Sequence, residues 1–112
     1  VKKKSTQIGA YGEDVAEKHL VELGHKIVSR NWRTRFCEID LITEHNKIVY
    51  FVEVKYRKSS AFGDGFAYIT PKKQKQMAFA AEMWLASNQW SGEVSLAAMS
   101  ITGGEIEFID TL

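Results

Sequence analysis

The chain has 112 residues, 45% hydrophobic and 26% charged, with a formal net charge of +1, a balance that fits one globular domain over residues 1–112 and excludes a long disordered tract. No apolar run approaches the roughly 18 residues of a membrane span, and the basic opening Val1-Lys2-Lys3-Lys4 leads into polar Ser5-Thr6-Gln7 rather than the apolar stretch of a signal peptide, so a cytoplasmic protein is expected. The single cysteine, Cys37, excludes an internal disulfide framework and a Cys-rich zinc site.

Residues 7–23 read as a helix. Ile8, Tyr11, Val15, His19 and Leu23 recur at three- and four-residue steps, Leu20 widens the stripe, Thr6 is the expected N-cap and Gly24 the expected stop. Residues 25–32 read as a short strand. The strongest strand signals are 37–43 and 48–56, rich in β-branched and aromatic residues. The polar turn Glu44-His45-Asn46-Lys47 between them predicts an antiparallel hairpin pairing Thr43 with Ile48. Residues 58–69 form a loop containing Phe62, Phe66 and Tyr68. Thr70-Pro71 opens a second helix, Thr as N-cap and Pro at its first position, ending near Ser87-Asn88. Strands at about 93–101 and 105–110 follow, joined by Gly103-Gly104. The order α-β-β-β-α-β-β predicts an α/β fold: a mixed sheet of about five strands flanked by two helices.

Charge is unevenly distributed. Residues 1–75 carry all 15 Lys and Arg with 9 acids, a balance of +6; residues 76–112 carry 5 acids and no Lys or Arg, a balance of −5. Such a chain can present a basic face to an anionic partner.

The third strand carries the chemistry. In Val52-Glu53-Val54-Lys55, alternation puts Glu53 and Lys55 on one face, with Val49 and Phe51. A carboxylate and an amine on so apolar a strand are costly to bury without partners, so they are either a structural ion pair or a site. Asp40 interrupts the preceding strand in the same way. In the predicted register it faces Phe51 and lies one diagonal step, about 7–8 Å, from Glu53. Two carboxylates beside an amine make a hard-oxygen pocket suited to Mg²⁺, with Mn²⁺ as substitute. Without a cation, the like charges raise each other's pKa. Glu13, at the border of the first helix's apolar stripe, is the candidate third carboxylate, whereas Glu17 is expected to project into solvent. Such a cluster can hydrolyse a phosphodiester: Asp40, Glu53 and Glu13 as metal ligands, Lys55 as water-positioning or charge-stabilising group. Arg30, Arg33, Arg35, Arg57 and Lys58 are candidates to hold flanking phosphates. Lys72, Lys73 and Lys75 open the second helix against its dipole, which fits a nearby phosphate or acidic surface as well as a plain solvated face. Glu38 could share the face of Glu53, but pairing with an Arg at the sheet edge is the favoured reading. His19, His25 and His45 show no ligand spacing, and Trp32 and Trp84 are expected in the core.

The Asp…Glu-x-Lys pattern resembles the PD-(D/E)XK nuclease superfamily. Gly12-Glu13-Asp14-Val15-Ala16, Gly24, Asn31-Trp32-Arg33, Glu38-Ile39-Asp40-Leu41-Ile42, Phe51-Val52-Glu53-Val54-Lys55, Phe62-Gly63 and Lys72-Lys73 together resemble the bacterial YraN family of predicted endonucleases, whose core is similar to archaeal Holliday junction resolvases. The resemblance covers residues 9–85 or so. It departs at Cys37, where the family usually has Gly, and at Val94-Ser95-Leu96-Ala97, which lacks an Asp usual there. It implies a restriction-endonuclease-like fold and a Mg²⁺-dependent endonuclease acting on DNA, including structured or branched DNA. A nuclease this small that cuts two strands symmetrically is expected to work as a homodimer. Two other readings are open from the residues: a non-catalytic nucleic-acid-binding module, and a small interaction domain whose charged cluster is structural.

Overall fold

The computed structural model describes residues 3–58 and 65–112. Helix α1 spans Lys3–Glu22, and strands β1 Lys26–Arg33, β2 Glu38–His45 and β3 Ile48–Arg57 follow. Helix α2 spans Pro71–Asn88, and β4 Glu93–Thr102 and β5 Glu105–Ile109 complete the chain. The strands form one sheet in the order β1-β2-β3-β4-β5. Only β3 and β4 run parallel, because only their connection holds a helix. The helices cover opposite faces. Ala16 and Leu20 of α1 pack with Leu41, Tyr50, Val52 and Met99. Ala80, Ala81 and Trp84 of α2 pack with Ile42, Val49 and Phe51. The expected α-β-β-β-α-β-β order and five-stranded mixed sheet are those observed. No helix among the described residues is long and apolar enough to cross a membrane.

Three local expectations are corrected. Helix α1 begins at Lys3, four residues early, so Thr6 lies within it rather than capping it. Its buried line is Gly12, Ala16 and Leu20, whereas Tyr11 and Leu23 are exposed. Small residues line the buried face because the helix comes so close to β3: a Cβ on Gly12 would stand 2.8 Å from Tyr56 Cβ. The helix stops as expected at Gly24, with φ 99°. The Gly24 N–H donates to the Val21 carbonyl and the His25 N–H to that of Leu20, the paired bonds of a Schellman motif. Third, the β2–β3 hairpin turns on Asn46 and Lys47 alone. Their φ values of 51° and 66° are what a two-residue type I′ turn requires. The register is therefore Thr43 with Tyr50 and Ile42 with Phe51, two residues from the expected one. A shift of two preserves which face each residue occupies. The side chains of Thr6 and Ile8, and Ser59-Ser60 and Phe62-Gly63-Asp64 of the loop, lie outside the described residues.

Alternation breaks where β1 and β2 pass Asn31 and Asp40. Arg30 pairs across the sheet with Leu41, on the α1 side; Trp32 pairs with Ile39, on the α2 side. Asn31 between them takes φ 55°, a left-handed conformation that Asn tolerates better than most residues. This local twist sends Arg30 and Trp32 to opposite faces. On β2 the change of face falls at Asp40.

Candidate active-site cleft

Asp40 sits where β2 leaves β3. The pairing of the two strands ends at Leu41 with Val52. Beyond it the Asp40 carboxylate, not a backbone carbonyl, accepts the Val54 N–H, at 2.9 Å. The extended register sets Asp40 level with Glu53, rather than facing Phe51. A cleft of about 410 Å³ opens here, lined by Glu13, Asp40, Glu53, Lys55, Tyr68 and Lys73 among others. Four residues singled out for catalysis, Glu13, Asp40, Glu53 and Lys55, thus line one cavity, contributed by α1, β2 and β3.

Each has a distinct electrostatic setting. Burial, with the Glu53 charge beside it, pushes the Asp40 carboxyl up to about 7; the Val54 N–H acts in the opposite sense. Glu53 is ion-paired with Lys73 of the first turn of α2, at 2.9 Å. Glu13 is mostly covered and lies 3.4 Å from the Arg30 guanidinium. Lys55 is exposed at the cleft and makes no ion pair among the described residues. The Tyr68 hydroxyl is shared between the carbonyl oxygens of Glu53, 3.3 Å, and Met99, 3.2 Å, tying the loop to the strand that carries Glu53. Burial raises the pKa of that phenol well above the ordinary range, so it acts as a hydrogen-bond donor.

The basic residues divide into two groups. Arg30, expected at phosphate, is committed to α1: it reaches Glu13, Asp14 at 2.5 Å, Glu17 at 3.2 Å and the Ala10 carbonyl at 3.0 Å. Glu17, expected in solvent, is one of its partners. Lys73, also expected at phosphate, is instead engaged with Glu53 inside the cleft. Arg33 is exposed and only loosely paired with Glu38, at 3.7 Å, the pairing favoured for Glu38. Arg35 lies over the Phe36 ring, 5.3 Å from its centroid. Lys58, Lys72 and Lys75 are exposed, and Arg57 is half-buried near the end of β3. Trp84 is buried and Trp32 packs against the same cluster.

Two features of the cleft escape a reading of the sequence. The Lys73–Glu53 pair had one signal: a lysine placed against a helix dipole needs a reason, and Glu53 supplies it. The bond from Tyr68 to two strand carbonyls had none, because it depends on how a loop folds back over the sheet.

The donor set fits a hard divalent cation. Among the described residues no three His, Cys, Asp or Glu side chains form a ready-made metal cage. Mg²⁺ needs none: it keeps several waters and is commonly held by one or two carboxylates plus substrate phosphate. Burial and the Glu53 charge raise the Asp40 carboxyl to about 7, and a cation at that point would oppose both effects.

The profile of a family described as "Uncharacterised protein family UPF0102" matches residues 12–109. A UPF0102 protein from Saccharophagus degradans is 37% identical over 109 residues, covering 96% of this chain and 92% of the relative. One from Cytophaga hutchinsonii is 37% identical over 100 residues, 89% of this chain and 88% of the relative. One from Rhodococcus opacus is 41% identical over 86 residues, 75% and 73% of the two chains.

Proposed function

The chain belongs to the UPF0102 family, the YraN-like proteins, and from the site it carries we propose that it is a metal-dependent endonuclease that hydrolyses DNA phosphodiester bonds. The observation that carries this reading is the convergence of Asp40, Glu53 and Lys55, with Glu13, on one cleft at the point where β2 leaves β3.

Asp40 and Glu53 would hold Mg²⁺ or Mn²⁺, with Glu13 within reach of the same shell; such an ion polarises a phosphoryl oxygen and lowers the pKa of a bound water. Lys55 projects an ammonium into the same cleft. There it can position the attacking water and stabilise the negative charge that builds on the phosphate as the P–O bond breaks. Lys73 neutralises Glu53 while the site is empty of substrate, and the Tyr68 hydroxyl fixes the backbone of Glu53 so that its carboxylate stays aimed into the cavity. Arg30 holds Glu13 against the sheet. Arg33, Arg35, Lys58, Lys72 and Lys75 remain exposed to take the phosphates on either side of the scissile one.

One observation favours a second reading, a nucleic-acid-binding module without catalysis. Glu53 already has a cation, Lys73, and a carboxylate so paired does not by itself need a metal. A cleavage panel of single strand, duplex, flap and four-way junction, with Mg²⁺ or Mn²⁺, separates the two. Metal-dependent products made by the wild type and not by Asp40→Ala support the hydrolase. Binding without cleavage of every substrate leaves the binding module.

A further inference from the structure

A second concavity, about 460 Å³, adjoins the catalytic cleft on the α2 side of the sheet; Glu53 and Lys73 line both. Its volume lies within the roughly 300–1,000 Å³ of small-molecule sites. Phe36, Phe79, Met77, Lys72 and Lys75 also line it. Phe36 is 69% exposed, the most exposed of the large hydrophobic side chains described, and Phe79 is 48% exposed. Neither is needed by the core, which is closed on this face by Phe51, Ala80, Ala81 and Trp84. Arg35, whose guanidinium lies over the Phe36 ring, and the exposed Lys72 and Lys75 bring positive charge to the aromatic side of the concavity, which Glu38 also lines.

We propose that this concavity is a subsite for an unpaired nucleotide of the DNA substrate, its base stacked on Phe36 or Phe79 and its phosphate held by Lys72, Lys75 or Arg35. The inference rests on the DNA-hydrolase reading and narrows its substrate to DNA with single-stranded character. Aromatic rings set in a basic groove are the combination that binds single strands, because every unstacked base offers a π-face. The bases of an intact duplex are stacked inside the helix and could not use exposed rings. The continuity with the catalytic cleft through Glu53 and Lys73 places the captured nucleotide next to the phosphate to be cut.

The test is fluorescence anisotropy with the full chain in chelator, using a labelled single-stranded oligodeoxynucleotide and the blunt duplex of the same sequence. At least one of Phe36→Ala and Phe79→Ala should weaken single-strand binding about tenfold, the value of one stacked base, and leave duplex binding within about twofold. Phe36→Tyr, which keeps the ring, should bind single strand like the wild type. Both truncations are at exposed positions, and thermal melts check that each variant is folded. Single-strand affinity that survives both truncations, or falls equally on the duplex, overturns the subsite whether or not the protein cuts DNA. A selective loss together with no cleavage of any substrate leaves the subsite standing and overturns the hydrolase reading alone. Wild-type protein that binds neither DNA overturns both.

Discussion

Asp40→Asn removes a charge without removing a contact, because the amide oxygen can still accept the Val54 N–H that the carboxylate accepts at 2.9 Å. The Asp40 carboxyl is raised from an ordinary 3.8 to about 7, first by burial and then by Glu53. An acid whose pKa is higher folded than unfolded binds extra protons in the folded state. Its ionisation therefore leaves the fold unpenalised below 3.8, weakens it progressively as pH rises, and weakens it fully above 7. The gap between the two values, at 1.36 kcal/mol per unit, sets an upper limit of about 4 kcal/mol on the penalty at pH 8. Water entry and relaxation of Glu53 and Lys73 reduce it, so the variant should gain about 2 kcal/mol, or roughly 10 °C in Tm, in metal-free buffer. At pH 3.5 most of that gain should disappear, because the wild-type carboxyl is then protonated in the folded state and largely protonated in the unfolded state as well. Urea melts of both proteins in chelator at the two pH values measure this. A variant less stable than the wild type at pH 8, or a gain that does not change with pH, would refute the placement of Asp40 as a half-buried carboxylate opposed by Glu53.

Millimolar Mg²⁺ or Mn²⁺ should raise the Tm of the wild type, since a ligand bound only by the folded state stabilises it, and should not raise that of Asp40→Asn; differential scanning fluorimetry with and without chelator reads both. Lys73→Met removes the cation paired with Glu53 beside Asp40, so it should lose about 1–3 kcal/mol in metal-free denaturant melts and show a larger Mg²⁺-induced rise in Tm than the wild type. Arg30→Ala releases three carboxylates of α1 and should cost about 2 kcal/mol of stability while leaving the salt dependence of DNA binding unchanged. Arg33→Ala should do the reverse, leaving the melt unchanged and flattening the log–log salt slope of binding by about one.

Much of the frame was legible in the sequence because it rests on local physics. Thr70 caps α2 through its hydroxyl, which accepts the Lys73 N–H, and Pro71 occupies the first helical position. Alternation along β3 identified Glu53 and Lys55 as intruders on an apolar strand. The association of Asp40 with Glu53 survived a wrong register because the error was two residues and the period of a strand is two. What could not be read depends on contacts between distant segments. Gly12 and Ala16 have little hydropathy weight, yet they define the buried face of α1 because β3 approaches so closely. Arg30 was indistinguishable from Arg33 in a list of basic residues. Only the left-handed Asn31 and the twist it brings turn Arg30 toward α1, while Arg33 stays in solvent. The stacked rings of His25 and His45, 4.7 Å apart, and the His25–Thr43 bond at 2.8 Å are likewise products of packing, not of spacing.

The central claim is that this cleft performs hydrolysis and does not only bind. Lys55→Ala addresses it most directly, because Lys55 is one positive charge among many for binding but lines the cleft of the reacting phosphate with no ion-pair partner among the described residues. Binding and single-turnover cleavage are measured on the same labelled flap substrate, with Mn²⁺ present in the cleavage arm. If the cleft performs hydrolysis, Lys55→Ala binds within about threefold of the wild type and cleaves at least a hundredfold more slowly, the order of loss seen when a group stabilising developing charge is removed. A Lys55→Ala protein that cleaves as fast as the wild type, or a wild type that binds the flap and never cuts it, would contradict it.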